Sequence, residues 1–221
     1  MPINHINMQT RVNNNVTLSP LQPDDRKQFI LDNQRAFKYG ATEEMTEQRE
    51  QSQACLSFAE SRRNSSEAQF GLRDDHYEEE GEIISRATIE ASIDGENAEA
   101  YRILLDGEKV GGAVIRVEGE CGELELLFVN PEVHSKGIGY SAWCLIEQLH
   151  PEVTVWETVT PYFEKRNIHF YVNRCGFHIV EYFNSHHPDP NDPDSGGPDS
   201  DGMFRFRKSM NGTPIPCFLI D

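Results

Sequence analysis

The sequence predicts an α+β domain built around a mixed β-sheet. Strand-like apolar segments recur through the 221-residue chain, and stretches of helical periodicity separate them in its second half. A strand–helix–strand unit aligns its two strands in parallel, whereas the tight turns of the central segment join antiparallel strands. Two such units in the second half predict parallel pairing there, within a sheet that contains both kinds of pair.

The elements are assigned from apolar periodicity, capping residues and turn residues. Strands are predicted at 16–22, 100–107, 109–119, 123–130, 153–160, 177–183 and 203–209. Helices are predicted at 25–40, 85–93, 138–150 and 167–176. The apolar positions of the first helix are Phe29, Ile30, Ala36 and Phe37. Gly40 suits the C-terminal cap of that helix, and Asp106-Gly107 is typical of a two-residue hairpin turn.

A single domain is expected over residues 16–210, after a polar lead at 1–15 that is expected to be disordered. Two segments inside it carry little packing potential: a polar and acidic insertion at 41–82 and a Pro/Asp/Gly-rich loop at 185–202. Both are predicted to be solvated, and a substrate-facing lid is the alternative for the insertion. The tail at 211–221 ends apolar, which is compatible with docking on the domain or with a homodimer.

Composition excludes several classes of function. Hydrophobic residues make up 37% of the chain, charged residues 26%, and the net charge is −17, as in a globular acidic protein. A nucleic-acid partner is not expected, because neutralising phosphates needs a basic face. The acidic charge favours a cationic small molecule or a basic peptide instead. No apolar run reaches the roughly 18 residues of a membrane-spanning helix, so no membrane partner is expected.

The cysteines and the N-terminus indicate a reducing compartment. The five cysteines are odd in number, widely spaced and without a CxxC pair, which is typical of free thiols. Their spacing gives no support for zinc, and no metal is expected. The first residues are polar and lack the apolar segment of a signal peptide. We therefore expect a cytoplasmic protein.

A glycine turn follows the apolar run at 128–130 and has the features of an anion site. It leads through Gly137-Ile138-Gly139 into a helix whose first N–H groups lack intrahelical acceptors. The two glycines let the backbone approach a phosphate closely. The turn is not a P-loop, since GxxxxGK[ST] is absent, and it lacks the third glycine of a dinucleotide fingerprint. Taken alone, it is equally well explained as a tight strand-to-helix connection.

Two motifs, in order, resemble those of the GNAT acetyltransferase superfamily. The first is Val129-Asn130-Pro131 followed by the segment His134 to Gly139, where the family has V-x-P and then (Gln/Arg)-x-x-Gly-x-(Gly/Ala). The second is an Asn that opens a helix, a Tyr on that helix and a closing Gly-Phe. In this chain they are Asn167, Tyr171 and Gly176-Phe177.

The resemblance is strong over residues 100–183 and extends more weakly to 16–40 and 203–208. It departs from the family pattern at two places. His134 stands where Gln or Arg is usual, and Tyr171 lies five residues before Gly176, one more than in the commonest form.

This resemblance implies a GNAT-like acyl-CoA N-acyltransferase fold with helices on both faces of a twisted sheet. It implies direct transfer of an acetyl group from acetyl-CoA to an amine, either a small cationic amine or a peptide or protein amine. The implied cofactor contacts are Phe128, Val129, His134, Ser135, Lys136, Gly137, Ile138, Gly139, Tyr140, Ser141 and Asn167. A non-catalytic CoA-binding or regulatory module with the same fold is the alternative.

The catalytic candidates are one tyrosine and three carboxylates. The resemblance implies that Tyr171 is the general acid for the CoA thiolate, and the alternative is a core tyrosine. For the base, Glu123 and Glu125 share a strand face because side chains alternate with a period of two. Glu157 is the third candidate, since a glutamate in an apolar strand needs a partner or a function. The choice among the three stays open.

Overall fold

The computed structural model describes residues 15–40, 42, 84–134, 136–190 and 202–210. The lead at 1–14, most of the predicted insertion, part of the predicted loop at 185–202 and the tail with its predicted dimer contact lie outside the described residues. The strands are β1 (Val16–Pro20), β2 (Ala98–Leu105), β3 (Glu108–Glu118), β4 (Cys121–Val129), β5 (Val155–Pro161), β6 (His178–Phe183) and β7 (Met203–Ser209). The helices are α1 (26–40), α2 (Arg86–Asp94), α3 (Ile138–Leu149) and α4 (Lys165–His169), the last continued by a π-helical segment, Phe170–Cys175.

The seven strands form one mixed sheet in the order β1-β2-β3-β4-β5-β7-β6. Only β4 and β5 pair in parallel, around the crossover helix α3, and the other neighbours are antiparallel. The predicted parallel pairing is therefore correct for the first strand–helix–strand unit and wrong for the second. The strand β7 lies between β5 and β6, pairs antiparallel with both, and carries the fully buried Phe206.

Helices cover both faces of this sheet. Phe29 of α1 packs in one core cluster with Val114 of β3, whereas Trp143 of α3 packs in another with Ile115. Val114 and Ile115 are consecutive residues of one strand, so they face opposite sides. The α+β class, the mixed sheet and the helices on both faces are therefore confirmed.

A buried arginine fixes the start of α1 to the sheet. Arg102 of β2 is 2% exposed and donates to Asp25 at 2.7 Å and to Asp32 at 2.8 Å. Its guanidinium also lies over the ring of Phe29, 5.1 Å from the ring centroid. Lys109 contacts Asp25 from the neighbouring strand at 2.9 Å. The position of α1 along the sheet is thus set by charge as well as by apolar packing.

Candidate active site

The strands β4 and β5 separate halfway along their length. Their registered pairs are Cys121 with Val155, Gly122 with Trp156 and Glu123 with Glu157, although β4 continues to Val129 and β5 to Pro161. We call the resulting gap, beyond Glu123 and Glu157, the wedge. A gap between two neighbouring strands exposes backbone groups that a continuous sheet would pair.

A bulge in β4 accounts for the separation. Against β3, Leu124 pairs with Ile115 and Leu126 pairs with Val114, which leaves Glu125 as the extra residue. An extra residue bends its strand and increases its twist, so β4 turns away from β5 at this point. Just inside the wedge the Thr158 hydroxyl donates to the Leu124 carbonyl at 2.8 Å, in place of a bond between strands.

The far end of β4 presents backbone groups to the wedge. The Asn130 N–H donates to Val110 of β3 at 2.8 Å. Backbone groups alternate in direction along a strand, so those of Leu127 and Val129 face the opposite side, where β5 has departed. The wedge therefore has an open strand edge on which an extended ligand with amide groups can bind, and of these backbone groups the Val129 carbonyl is already bonded to the His134 side chain.

The glycine turn closes the wedge at the start of α3. Gly137 is the N-cap residue and has φ of 72°, a left-handed conformation in which glycine avoids the strain of a Cβ. The first intrahelical bond is donated by Ser141 to the Gly137 carbonyl at 3.0 Å. The N–H groups of Ile138, Gly139 and Tyr140 precede that bond and have no acceptor within the helix.

A cavity of about 360 Å³ joins the wedge, the glycine turn, α1 and α4. Nine of the predicted site residues line it: Phe128, Val129, His134, Gly137, Ile138, Gly139, Tyr140, Asn167 and Tyr171. Lys136 is exposed outside the lining, and Ser141 is fully buried with its hydroxyl donating to Gly137 at 3.1 Å. Ser135 lies outside the described residues. The wall from α1 is formed by Ala36, Phe37 and Gly40.

His134 connects three elements at the edge of this cavity. Arg166 of α4 donates to His134 Nδ1 at 2.7 Å, so Nε2 carries the ring proton and donates it to the Val129 carbonyl, also at 2.7 Å. Tyr39 of α1 packs edge-on against the imidazole, with ring centroids 5.5 Å apart. The side chain, and not only the backbone, of this unusual residue thus shapes the cavity.

Tyr171 reaches the wedge through the π-helical segment. The N–H of Gly176 donates to the Tyr171 carbonyl, five residues earlier in the chain. This π-helical turn is one residue longer than an α-helical turn, and so it accommodates the extra residue between Tyr171 and Gly176. The Tyr171 hydroxyl bonds to Thr158, whose own proton goes to Leu124, so the tyrosine is the donor. Burial raises the pKa of Tyr171 well above its ordinary value, and the phenol keeps its proton at neutral pH.

The three predicted carboxylates lie outside the cavity lining, next to the point where the wedge begins. Glu123 and Glu157 are the last registered pair, and alternation places both on the face that carries α1 and α2. Arg116 contacts Glu125 and lies 3.5 Å from Glu123, while Arg207 donates to Glu157 at 2.6 Å. Burial, followed by the negative charge of Glu125, raises the pKa of Glu123.

Besides Arg166, the cavity lining contains two further charged residues that sequence reasoning missed. Glu164 is 8% exposed and accepts a bond from Asn167 at 3.2 Å. Arg174 is exposed on the π-helical segment, with its guanidinium 5.6 Å from the centroid of the Tyr140 ring. A signal was present for both, since each lies within three residues of Asn167 or Tyr171.

The described ranges contain no group of three or more His, Cys, Asp or Glu side chains arranged to hold a metal ion. They also contain no helix with the length and apolar character needed to cross a bilayer.

Comparison with known proteins shows the family. A model described as the acetyltransferase (GNAT) family matches residues 64–177, more than half of the chain. The chain belongs to the GNAT acetyltransferase family. The resemblance seen in the two sequence motifs is thereby confirmed.

Proteins similar to this GNAT chain come from several organisms. The uncharacterized protein YrkN of Bacillus subtilis (strain 168) is 49% identical over 140 residues, which cover 60% of this chain and 76% of YrkN. PaiA N-acetyltransferase from Thermoplasma acidophilum, solved with coenzyme A, has a TM-score of 0.52 over 88% of this chain and 99% of its own, at 14% identity. The ribosomal-protein-S18-alanine N-acetyltransferase from Escherichia coli has a TM-score of 0.53 over 91% of this chain and 99% of its own, at 16% identity. These two structures share the fold.

Proposed function

We propose that this GNAT protein is an N-acetyltransferase that transfers an acetyl group from acetyl-CoA directly to an amine. The observation that carries the proposal is one cavity that joins an open strand edge, the N–H groups of a glycine turn and a buried, protonated tyrosine. The turn suits the diphosphate, because unpaired N–H groups at a helix N-terminus bind anions. The edge of β4 suits the amide groups of the pantetheine arm.

The chemistry needs a neutral amine and a protonated leaving group. The amine nitrogen attacks the thioester carbonyl carbon, the C–S bond breaks, and CoA leaves as the thiol. Tyr171 supplies the proton to sulfur, and burial, which raises its pKa, keeps the phenol protonated before that step. The amine loses one proton, which a carboxylate at the start of the wedge accepts.

The acceptor approaches from the face that carries α1 and α2. Glu123 and Glu157 lie on that face, whereas Tyr171 belongs to the opposite core cluster with α3. Of the three candidate bases, Glu123 has the support of a raised pKa, which brings a carboxylate closer to the working range of a general base. The net charge of −17 on the chain favours a cationic acceptor.

Two measurements test the proposal. Acetyl-CoA at 100 times its dissociation constant should stabilise the protein by about 2.7 kcal/mol and raise its melting temperature. Release of free CoA should then depend on an added amine, tested with polyamines, aminoglycosides and lysine-containing peptides. Binding without release for any amine would favour the alternative of a non-catalytic CoA-binding module, and no binding would contradict both.

A graded substitution at Gly139 tests the placement of the cofactor. A Cβ at this position would lie 3.6 Å from Phe170 and 3.7 Å from Val129, which are ordinary contact distances. We expect Gly139→Ala to fold and to bind acetyl-CoA with a small loss. The two γ-methyl groups of Gly139→Val extend into the cavity and should weaken binding roughly 10- to 100-fold.

Calorimetry measures the affinities of Gly139→Ala and Gly139→Val for acetyl-CoA. The melting temperature without ligand shows whether each variant folds. Equal affinities for the wild type and a folded Gly139→Val would place the cofactor elsewhere.

A further inference from the structure

We propose that Arg174 recognises the ribose 3′-phosphate of CoA and selects the cofactor over its 3′-dephospho form. The inference rests on the proposed function. It names a residue that neither the sequence motifs nor the family match assigns. Arg174 lines the cavity and is exposed, so it stands at the rim, where the polar end of an extended ligand emerges.

Charge pairing sets Arg174 apart from the other arginines in the described part of the chain. Seven of them pair with carboxylates: Arg26, Arg35, Arg86, Arg102, Arg116, Arg205 and Arg207. Arg166 donates to His134. Within the described ranges Arg174 pairs with no carboxylate, although the chain carries a net charge of −17 and acidic partners are abundant. An arginine left without an anion beside a phosphate-binding turn is suited to bind an anionic ligand.

The ring of Tyr140 places the guanidinium next to the glycine turn. Tyr140 contributes the last of the three N–H groups that precede the first intrahelical bond of α3, and Arg174 lies over its ring at 5.6 Å. Those N–H groups are assigned to the diphosphate. The anion that remains on the cofactor is the 3′-phosphate, a monoester with a charge near −2, which a guanidinium fork binds through paired N–H groups.

Two ligands and three variants test this assignment. Dissociation constants are measured by calorimetry for acetyl-CoA and for 3′-dephospho-acetyl-CoA, with the wild type, Arg174→Gln, Arg174→Lys and the control Arg86→Gln. Arg86 is an exposed arginine of α2 that pairs with Glu90 at 2.8 Å, so its removal changes the net charge equally without touching the cavity. Melting temperatures without ligand check that each variant folds.

We expect the wild type to prefer acetyl-CoA about tenfold, the low end for a charged hydrogen bond at an exposed site. Arg174→Gln should bind acetyl-CoA about tenfold more weakly and bind the dephospho ligand as the wild type does, so that the preference disappears. Arg174→Lys should keep part of the preference, and Arg86→Gln all of it. Added salt should reduce the preference of the wild type, because exposed charges are screened.

Other results would overturn the assignment. If Arg174→Gln weakened both ligands by the same factor, Arg174 would act on the diphosphate or on the fold. If the wild type bound both ligands equally, the inference would fail while the proposed function stood. If the wild type bound neither ligand, both would fail.

Discussion

Tyr171→Phe is expected to bind acetyl-CoA as the wild type does and to release CoA roughly 10²- to 10⁴-fold more slowly, the usual contribution of a positioned general acid. The hydroxyl lies at the start of the wedge, and burial keeps it protonated by raising its pKa. The variant should fold, because the lost bond to Thr158 contributes only about 1 kcal/mol and Thr158 still donates to Leu124.

The readouts that test Tyr171 are kcat, the affinity for acetyl-CoA and the pH profile. Because the pKa of Tyr171 is raised, the wild type should show no loss of activity from tyrosine ionisation below pH ~10. Tyr162→Phe is the matched control, since Tyr162 is 47% exposed and outside the cavity lining. If the kcat of Tyr171→Phe were within threefold of the control, Tyr171 would be a core tyrosine and not the general acid. The CoA thiolate would then leave without a proton from Tyr171.

Much of this site follows from local sequence. The glycine turn was predictable because strand, turn and helix are consecutive, so the N–H groups of α3 meet the end of β4 without any long-range contact. The second motif placed Asn167 and Tyr171 on the correct segment, and both line the cavity. The spacing of Tyr171 before Gly176 appeared irregular, yet a π-helical turn contains the extra residue locally.

The wedge could not be predicted in the same way. It depends on the bulge at Glu125, and a bulge is defined by the register against β3, which is set by packing across the sheet. The insertion of β7 between β5 and β6 is likewise a long-range choice. Whether Arg174 has a carboxylate partner among the described residues depends on which of them the fold brings near it, and the number of charges along the chain does not predict this.

Arg102→Met is expected to lower the free energy of unfolding by about 3–5 kcal/mol, the cost of breaking a buried ion pair from one side. The change removes the cation that both Asp25, 11% exposed, and Asp32, 17% exposed, contact, and of the two only Asp25 keeps a second described cation, Lys109 at 2.9 Å. Urea unfolding measures the loss. The affinity for acetyl-CoA should fall as well, because α1 supplies the cavity wall at Ala36 and Phe37.

The pH dependence of that loss identifies its electrostatic origin. The hydrogen bond from Arg102 is the main cause that lowers the pKa of Asp25, so the charged carboxylate stabilises the fold at pH values above its unfolded pKa, about 3.9. That contribution disappears as the pH falls through the lowered folded value. The difference between wild type and Arg102→Met should therefore be largest near pH 7 and shrink below pH ~4.

Arg26→Met provides the control for an exposed pair. Arg26 bonds to Asp94 at 2.5 Å, but Asp94 is 62% exposed, so the loss of this screened pair should cost much less than the loss of Arg102. If Arg102→Met cost no more than this control, or if its cost did not change between pH 7 and pH 3, the Arg102 cluster would not hold α1 through charge. The position of the cavity wall would then depend mainly on apolar contacts, such as those of Phe29 and Ile30.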